Sequence, residues 1–255
     1  MKYIQSWENY QVPENYKLFS NLAYGTDIDQ YIHLSIPRNK KNFPTLIWFH
    51  GGGMTEDVID FDLDFFDGTA AVAAVHYRLA PGAQPPAQYE DTASAIAFVI
   101  QNIAQYGGSK DLIFAGGLSA GANMVALTVF NYQRYLTPHG VSPSDLKALL
   151  LLSGQMTTHF FVKKQMGYSG SNLRPVIDDY APLHWVENAT MPIMLLAGEF
   201  DIPARKYENL FMQDILRALG NEHIETHIIG SETHGSNLVK SDLMLKFIKD
   251  QIVLK

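Results

Sequence analysis

The chain has no cysteine. That excludes disulfides, zinc–thiolate sites and thiol nucleophiles together, and it fits a reducing compartment. Cationic side chains are scarce: 19 Lys and Arg stand against 26 Asp and Glu, a net charge of −7. Such a balance offers no electrostatic footprint for nucleic acid or for an anionic lipid surface, so neither is expected as a partner. Long apolar runs are missing too. The longest, near 93–100, falls far short of the roughly 20 residues a membrane helix needs. The opening residues MKYIQSWENY hold no apolar stretch, so no signal peptide is expected and the chain reads as soluble and cytoplasmic. No phosphate loop of the G-x-x-x-x-G-K-[ST] type occurs, and no G-x-G-x-x-G opens a helix, which disfavours nucleotide cofactors.

What is present is an ordinary globular composition over 255 residues, 47% hydrophobic and 18% charged. A chain of this length buries a sizeable core without staples, and residues 1–255 read as one domain. Short β-rich runs alternate with longer helical ones, the pattern of an α/β fold with a mostly parallel sheet. Strands are predicted at 17–24 and 30–36 (a hairpin across 26–29), then at 45–49, 71–77, 112–115, 148–152, 193–197 and 224–229. Helices are predicted over 87–105, 120–135, 204–219 and 236–252, the last with Leu238, Leu243, Leu245, Phe247, Ile248 and Ile252 turned to the core. The stretch at about 154–190 breaks the alternation and is too long for a simple connection, so it reads as a small cap-like insertion over one end of the sheet.

Three signals carry chemistry. Gly117-Leu118-Ser119-Ala120-Gly121 lies between a predicted strand and a predicted helix. This is the G-x-S-x-G turn that exposes a nucleophilic serine on a strained backbone, with glycines where side chains would strike the neighbouring strand and helix. His50-Gly51-Gly52-Gly53 follows the strand at 45–49. Backbone without side chains lets amide N–H groups point into a cavity and hold an oxygen that becomes negative; Gly52 and Gly53 are the candidate donors, joined by the N–H of Ala120 at a helix start. Downstream, Asp201 follows the strand at 193–197 and His234 the strand at 224–229. In a parallel sheet both stand at the carboxyl ends of strands, the edge where Ser119 lies. The order Ser119, Asp201, His234 suits a relay in which the histidine takes the serine proton and the carboxylate orients the imidazole.

With these residues in place, the sequence resembles the α/β-hydrolases, in particular the hormone-sensitive-lipase-like and carboxylesterase branch. His50-Gly51-Gly52-Gly53 matches that branch's oxyanion motif, Tyr77-Arg78-Leu79-Ala80-Pro81 its Y-R-L-A-P segment, and Pro85-Pro86-Ala87 with Glu90-Asp91 the stretch that opens the next helix. Gly198-Glu199-Phe200-Asp201 also resembles kynurenine-formamidase and feruloyl-esterase-like relatives. The resemblance implies a serine hydrolase of small carboxylic esters that needs no cofactor and no metal. A formamide or amide hydrolase with the same triad is the alternative, and a non-catalytic ligand-binding protein on this fold a more distant one. Leu118 replaces the acidic residue usual before the nucleophile, and the N-terminal cap common in that branch is short.

Other residues take plainer readings. His50 is expected to anchor the glycine loop, and Arg78 to pair with Glu90 or Asp91. Glu199 is the rival to Asp201, two residues earlier and on the same face of an extended chain. Asp60, Asp62 and Asp64 alternate as in a calcium loop, but aromatic and leucine side chains interleave and the required glycine is absent, so no metal is expected. His223 and His227 read as exposed strand residues. Met54, Met156, Phe160, Phe161, Met166 and Tyr168 are the candidate lining of a modest apolar substrate pocket. The partner expected is a small ester; self-association is left open.

Overall fold

The computed structural model describes Trp7 and residues 10–253, so most of the opening stretch discussed above lies outside the described residues. Eight strands form one sheet: β1 (Tyr16–Ala23), β2 (Tyr31–Pro37), β3 (Phe43–Phe49), β4 (Ala71–Val75), β5 (Gly108–Leu118), β6 (Ala148–Leu152), β7 (Ile193–Phe200) and β8 (Ile224–Thr233). Their order is β1-β2-β4-β3-β5-β6-β7-β8. β2 runs antiparallel to both β1 and β4, and every other neighbouring pair is parallel. This is the α/β architecture the alternation predicts.

Burial explains why the central strands read as unbroken apolar runs. β3, β4 and β6 are buried at every position. Successive side chains go to opposite faces, and both faces are covered. Along β6, Leu149 and Leu151 join the core on one face, while Ala148, Leu150 and Leu152 join the core on the other. Along β3, Ile47 and Phe49 go one way, Leu46 and Trp48 the other. Each such leucine or isoleucine contributes about 1.5–3 kcal/mol relative to exposure, so a polar substitution on either face would be felt.

The helices α1 (Ala87–Asn102), α2 (Ala120–Phe130), α3 (Tyr132–Tyr135), α4 (Phe160–Gln165), α5 (Arg205–Ala218) and α6 (Ser241–Val253) close the layers. α2 is buried along its whole length. Several boundaries differ from the predicted ones. The predicted helix to 135 breaks at Asn131, whose backbone leaves the helical region, and resumes as α3. The predicted helix from 236 starts as α6 only at Ser241, after a 3₁₀ turn at Ser236–Leu238. Val239, at φ −76° and ψ 93°, leaves the helical region and separates the turn from α6. β5 begins at Gly108, four residues early, because Gly108 pairs with Phe43 through the backbone whatever the polarity of Ser109, Lys110 and Asp111.

The stretch 154–190 carries α4 and a 3₁₀ segment at Pro182–Asn188. α5 ties its start down. Glu208 accepts from the N–H groups of Met156 and Thr157 at 2.8 and 3.1 Å, and Asn209 Nδ2 donates to the Gly154 carbonyl at 2.9 Å.

Candidate active site

The turn after β5 places Ser119 at φ 56°, ψ −111°, a conformation that L-residues rarely adopt. The glycine at 121 is a matter of close approach: a Cβ there would lie 2.0 Å from the Phe49 carbonyl oxygen. α2 starts at the next residue, Ala120, so its first amide faces the same edge of the sheet as the serine.

Ser119, His234 and Asp201 come together. His234 Nε2 lies 2.8 Å from Ser119 Oγ, and His234 Nδ1 lies 2.7 Å from Asp201 Oδ1. The carboxylate is further held by the N–H groups of Gly198 and Ile202 at 3.1 and 2.7 Å. Burial pushes the Asp201 pKa up, but hydrogen bonds from His234, Ser153 and Gly198 outweigh it and keep the carboxyl below its ordinary range. A carboxylate held ionised in this way fixes the Nδ1–H tautomer and leaves Nε2 free to accept a proton. Glu199, the rival acid, is engaged elsewhere: it is exposed and accepts from the Ser231 N–H at 2.9 Å, tying β7 to β8.

One member of this group is missing from the sequence reading. Ser153, fully buried at the end of β6 with φ 50°, donates to Asp201 Oδ2 at 2.6 Å and lies 2.9 Å from His234 Nδ1. Its carbonyl takes a 2.6 Å bond from the buried Arg205. Ser153 directly follows a predicted parallel strand, and that strand-end position is the signal that could have found it.

The glycine loop is built by opposed bonds. A trans peptide points its C=O and its N–H in opposite directions. The Gly51 carbonyl is held by Tyr77 Oη at 3.1 Å and by His50 Nδ1 at 2.9 Å, so the Gly52 N–H, in the same peptide, points away from those rings. The Gly52 carbonyl accepts from the N–H groups of Thr55 and Glu56, both at 3.0 Å, which turns the Gly53 N–H away from that loop. Gly52 itself has φ 87°, and a Cβ on it would meet the Glu56 carbonyl oxygen at 2.4 Å. No described residue accepts from the N–H groups of Gly52, Gly53 or Ala120. His50 is fully buried against Tyr77, with rings stacked 4.4 Å apart, and burial lowers its pKa to about 4. It is packed behind the glycine loop with its Nδ1 on the Gly51 carbonyl and does not line the cleft.

A cleft of about 640 Å³ opens over Ser119 and His234. Among the described residues its apolar lining is Val58, Ile59, Leu118, Phe160 and Ile202 and its acidic lining Glu56 and Asp60, with no Lys or Arg. Of the proposed pocket residues, Phe160 lines this cleft. Met54 and Met156 are fully buried and Phe161 nearly so; all three fill the core beneath it. Met166 and Tyr168 are exposed and do not line it, and the Tyr168 hydroxyl bonds to Asp178. Apolar character marked these residues as pocket candidates, but the core claimed three of them. An open hollow of the same size beside α6, lined by Asp62, Lys240 and Lys246 among others, lies away from the triad and offers no paired nucleophile and base.

The supporting residues settle as follows. Arg78 pairs with Asp91 at 2.6 Å and lies 4.0 Å from Glu90. Asp62 caps a 3₁₀ turn by accepting from the Asp64 N–H at 3.0 Å, while Asp60 turns inward, so the three alternating aspartates do separate work. His223 is exposed just before β8, and His227, on β8, is half-buried and meets Glu225 at 2.6 Å. Among the described residues no helix is long and apolar enough to cross a membrane.

A family model, BD-FAE, matches residues 32–139. Carboxylesterase NlhH of Mycobacterium tuberculosis is 33% identical over 96 residues, 36% of this chain and 30% of the relative. Probable carboxylesterase 1 of Arabidopsis thaliana is 27% identical over 176 residues, 60% of this chain and 53% of the relative. The matches thus span about a third to a half of these relatives' length. Among solved structures, a truncated carbohydrate esterase from gut microbiota superposes with a TM-score of 0.77 at 16% identity, covering 94% of this chain and 98% of that one. Strand order and superposition agree: the chain has the α/β-hydrolase fold, and its matched segments are similar to carboxylesterases.

Proposed function

We propose that the protein is a serine hydrolase of small carboxylic esters, acting through Ser119, His234 and Asp201. One observation carries this reading: a continuous hydrogen-bonded relay from Ser119 Oγ through the His234 ring to Asp201, opening on a cleft beside glycine amides without internal acceptors. In the reaction, His234 Nε2 takes the Ser119 proton as Oγ attacks the ester carbonyl. The carbonyl oxygen gains negative charge and is held by the N–H groups of Gly52, Gly53 and Ala120, each worth about 10²–10³ in rate. The imidazolium is stabilised by Asp201 and returns its proton to the departing alcohol. Water then repeats the cycle on the acyl-enzyme and releases the acid, leaving Ser119 free.

The apolar lining suits a modest acyl or aryl group, so short esters are expected to be preferred over long-chain ones. The test is labelling of the intact protein with a fluorophosphonate, mapping of the adduct, and turnover of a panel of nitrophenyl esters and N-formyl amides. The expected result is an adduct on Ser119 and turnover highest for short acyl esters. An adduct elsewhere, or none with no turnover, would refute the proposal, and N-formyl substrates outcompeting esters would move it to formamide hydrolysis.

A further inference from the structure

Asp60 is a carboxylate that no catalytic step above uses, yet it is 4% exposed and lines the cleft. Two donors converge on it, one per oxygen: the Gly51 N–H on Oδ2 at 2.6 Å and Trp48 Nε1–H on Oδ1 at 2.8 Å. Among the described residues that line the cleft there is no Lys or Arg to pair with it. A Cβ built on Gly51 would lie 3.3 Å from Asp60 Oδ2 and 3.4 Å from Ser119 Cβ, so the carboxylate stands about one side chain's width from the nucleophile. Leaving a charge so buried is costly unless it does something the fold needs.

The geometry says what that is. Gly51 has no side chain to limit its dihedrals. Tyr77 and His50 hold the peptide after it through its carbonyl. Asp60 holds the peptide before it through its N–H. With both flanking peptide planes fixed, the direction of the Gly52 N–H is fixed as well. We infer that Asp60 is a positioning residue, which orients the oxyanion-binding amides through Gly51 and is itself oriented by Trp48. The inference rests on the proposed hydrolase reading. The acidic residue usual before the nucleophile is here Leu118, buried in the same core as Trp48 and Phe61, so the carboxylate beside this loop comes from the loop's own far end.

The test follows from the two donors. An asparagine at 60 offers one acceptor to two N–H groups, so it satisfies one and sets its amide hydrogens against the other. Asp60→Asn should lower kcat for a short nitrophenyl ester about 10- to 100-fold with KM changed less than about threefold, because the loss falls on an interaction made in the transition state. Trp48→Phe removes the competing donor. The double variant Asp60→Asn with Trp48→Phe frees the single amide oxygen for Gly51, and should recover at least about tenfold of the lost kcat. A role in stability alone would not be rescued by deleting a second hydrogen bond. Asp60→Asn within twofold of wild type, or a double variant no better than Asp60→Asn, overturns the inference. If Asp60→Asn alone does not fold, the double variant decides: kcat within about tenfold of Trp48→Phe supports the inference, and a larger loss overturns it. Wild-type turnover and a Ser119 adduct separate the two readings. If both are absent the hydrolase proposal falls, and this one with it; if both are present, the Asp60 result stands by itself.

Discussion

Replacing Ser153 by alanine removes one hydroxyl and tests whether the relay extends past Asp201. The Ser153 hydroxyl gives its proton to Asp201 Oδ2 at 2.6 Å, a charge-assisted bond from a fully buried donor. Bonds of that kind contribute about 1.5–3 kcal/mol. Not all of it reaches the rate. Asp201 keeps the Gly198 and Ile202 N–H groups and His234 itself, so the carboxylate stays in place with three donors. What is lost is the shorter of two bonds to Oδ2, the Gly198 N–H remaining, and part of the force that keeps the carboxyl ionised. If half the bond's worth is differential between ground and transition state, the loss is about 1 kcal/mol, or about fivefold in kcat. The expected range is therefore about 3- to 30-fold, far below the ~10⁴ expected when the acid itself is neutralised. The strained φ of 50° is common to serine and alanine, so backbone strain does not confuse the comparison. The assay is steady-state hydrolysis of a short nitrophenyl ester across pH 5–9 by wild type, Ser153→Ala and Asp201→Asn. Ser153→Ala within about 1.5-fold of wild type would show that the hydroxyl is a bystander to the relay. A loss equal to that of Asp201→Asn would show that the carboxylate cannot hold its place on backbone bonds alone.

Two further outcomes follow from buried charge. His50 is held neutral by burial down to about pH 4, against an ordinary 6.5, and burial also lowers His76 and His33, with His76 pushed further by the neighbouring histidines. A depressed histidine contributes stability that is present above its unfolded pKa and lost as pH falls towards the folded one, on the order of 3 kcal/mol for His50. Asp60 works the other way: burial raises its carboxyl to about 6, so its contribution declines as pH rises from about 4 to about 6. Burial raises the Asp57 carboxyl in the same sense, but the three depressed histidines outweigh these two aspartates, so urea midpoints should fall steadily from pH 7 to pH 4.5; a flat or rising series would contradict the burial assigned to them. The second outcome concerns Asp91, whose fully buried side chain takes Arg78 at 2.6 Å, the Arg78 N–H at 2.9 Å and Gln30 at 2.7 Å. Asp91→Ala strands all three donors and should cost about 3–5 kcal/mol in chemical denaturation, while kcat per folded molecule stays within about twofold; a stability loss under 1 kcal/mol would deny the pair its structural role.

Much of this architecture is legible in the residues because β3, β4 and β6 are short and apolar on both faces. β6 lies at 148–152 as predicted, since Ala148–Leu152 has no polar position to blur its ends. The strands that run past their apolar segments are harder. β8 continues through Gly230, Ser231 and Glu232 to Thr233, and Phe200 pairs with Thr233 through the backbone after a register shift. Hydrophobic periodicity is silent about such pairing, yet it delivers His234 to the site. The relay residues were legible because each follows a strand; the pocket lining was not, because methionines and phenylalanines serve the core and the cleft equally well. Ser153 and Asp60 share one reason for being missed as partners of the site. Both act through hydrogen bonds to groups far away in sequence, Ser153 to Asp201 and Asp60 to Trp48 and Gly51, and a single small polar residue carries no periodicity that reports such a bond.

The place of the site is a consequence of strand order. From β3 the chain crosses to β4 on one side, then returns past β3 to lay down β5 on the other. Connections leave β3 and β5 in opposite directions, so the carboxyl ends of these two adjacent strands open a crevice that no crossover fills. The glycine loop leaves β3 at His50 and the nucleophile leaves β5 at Ser119, one on each side of that gap. The next three strands then each add one polar group at the same edge, Ser153 after β6, Asp201 after β7 and His234 after β8. A parallel sheet brings successive strand ends about 4.8 Å apart, close enough for side chains from neighbouring strands to meet in hydrogen bonds. The relay therefore needs no long loop to assemble it. Its accuracy comes from a core buried on both faces, and the residues that adjust it are those at the strand ends.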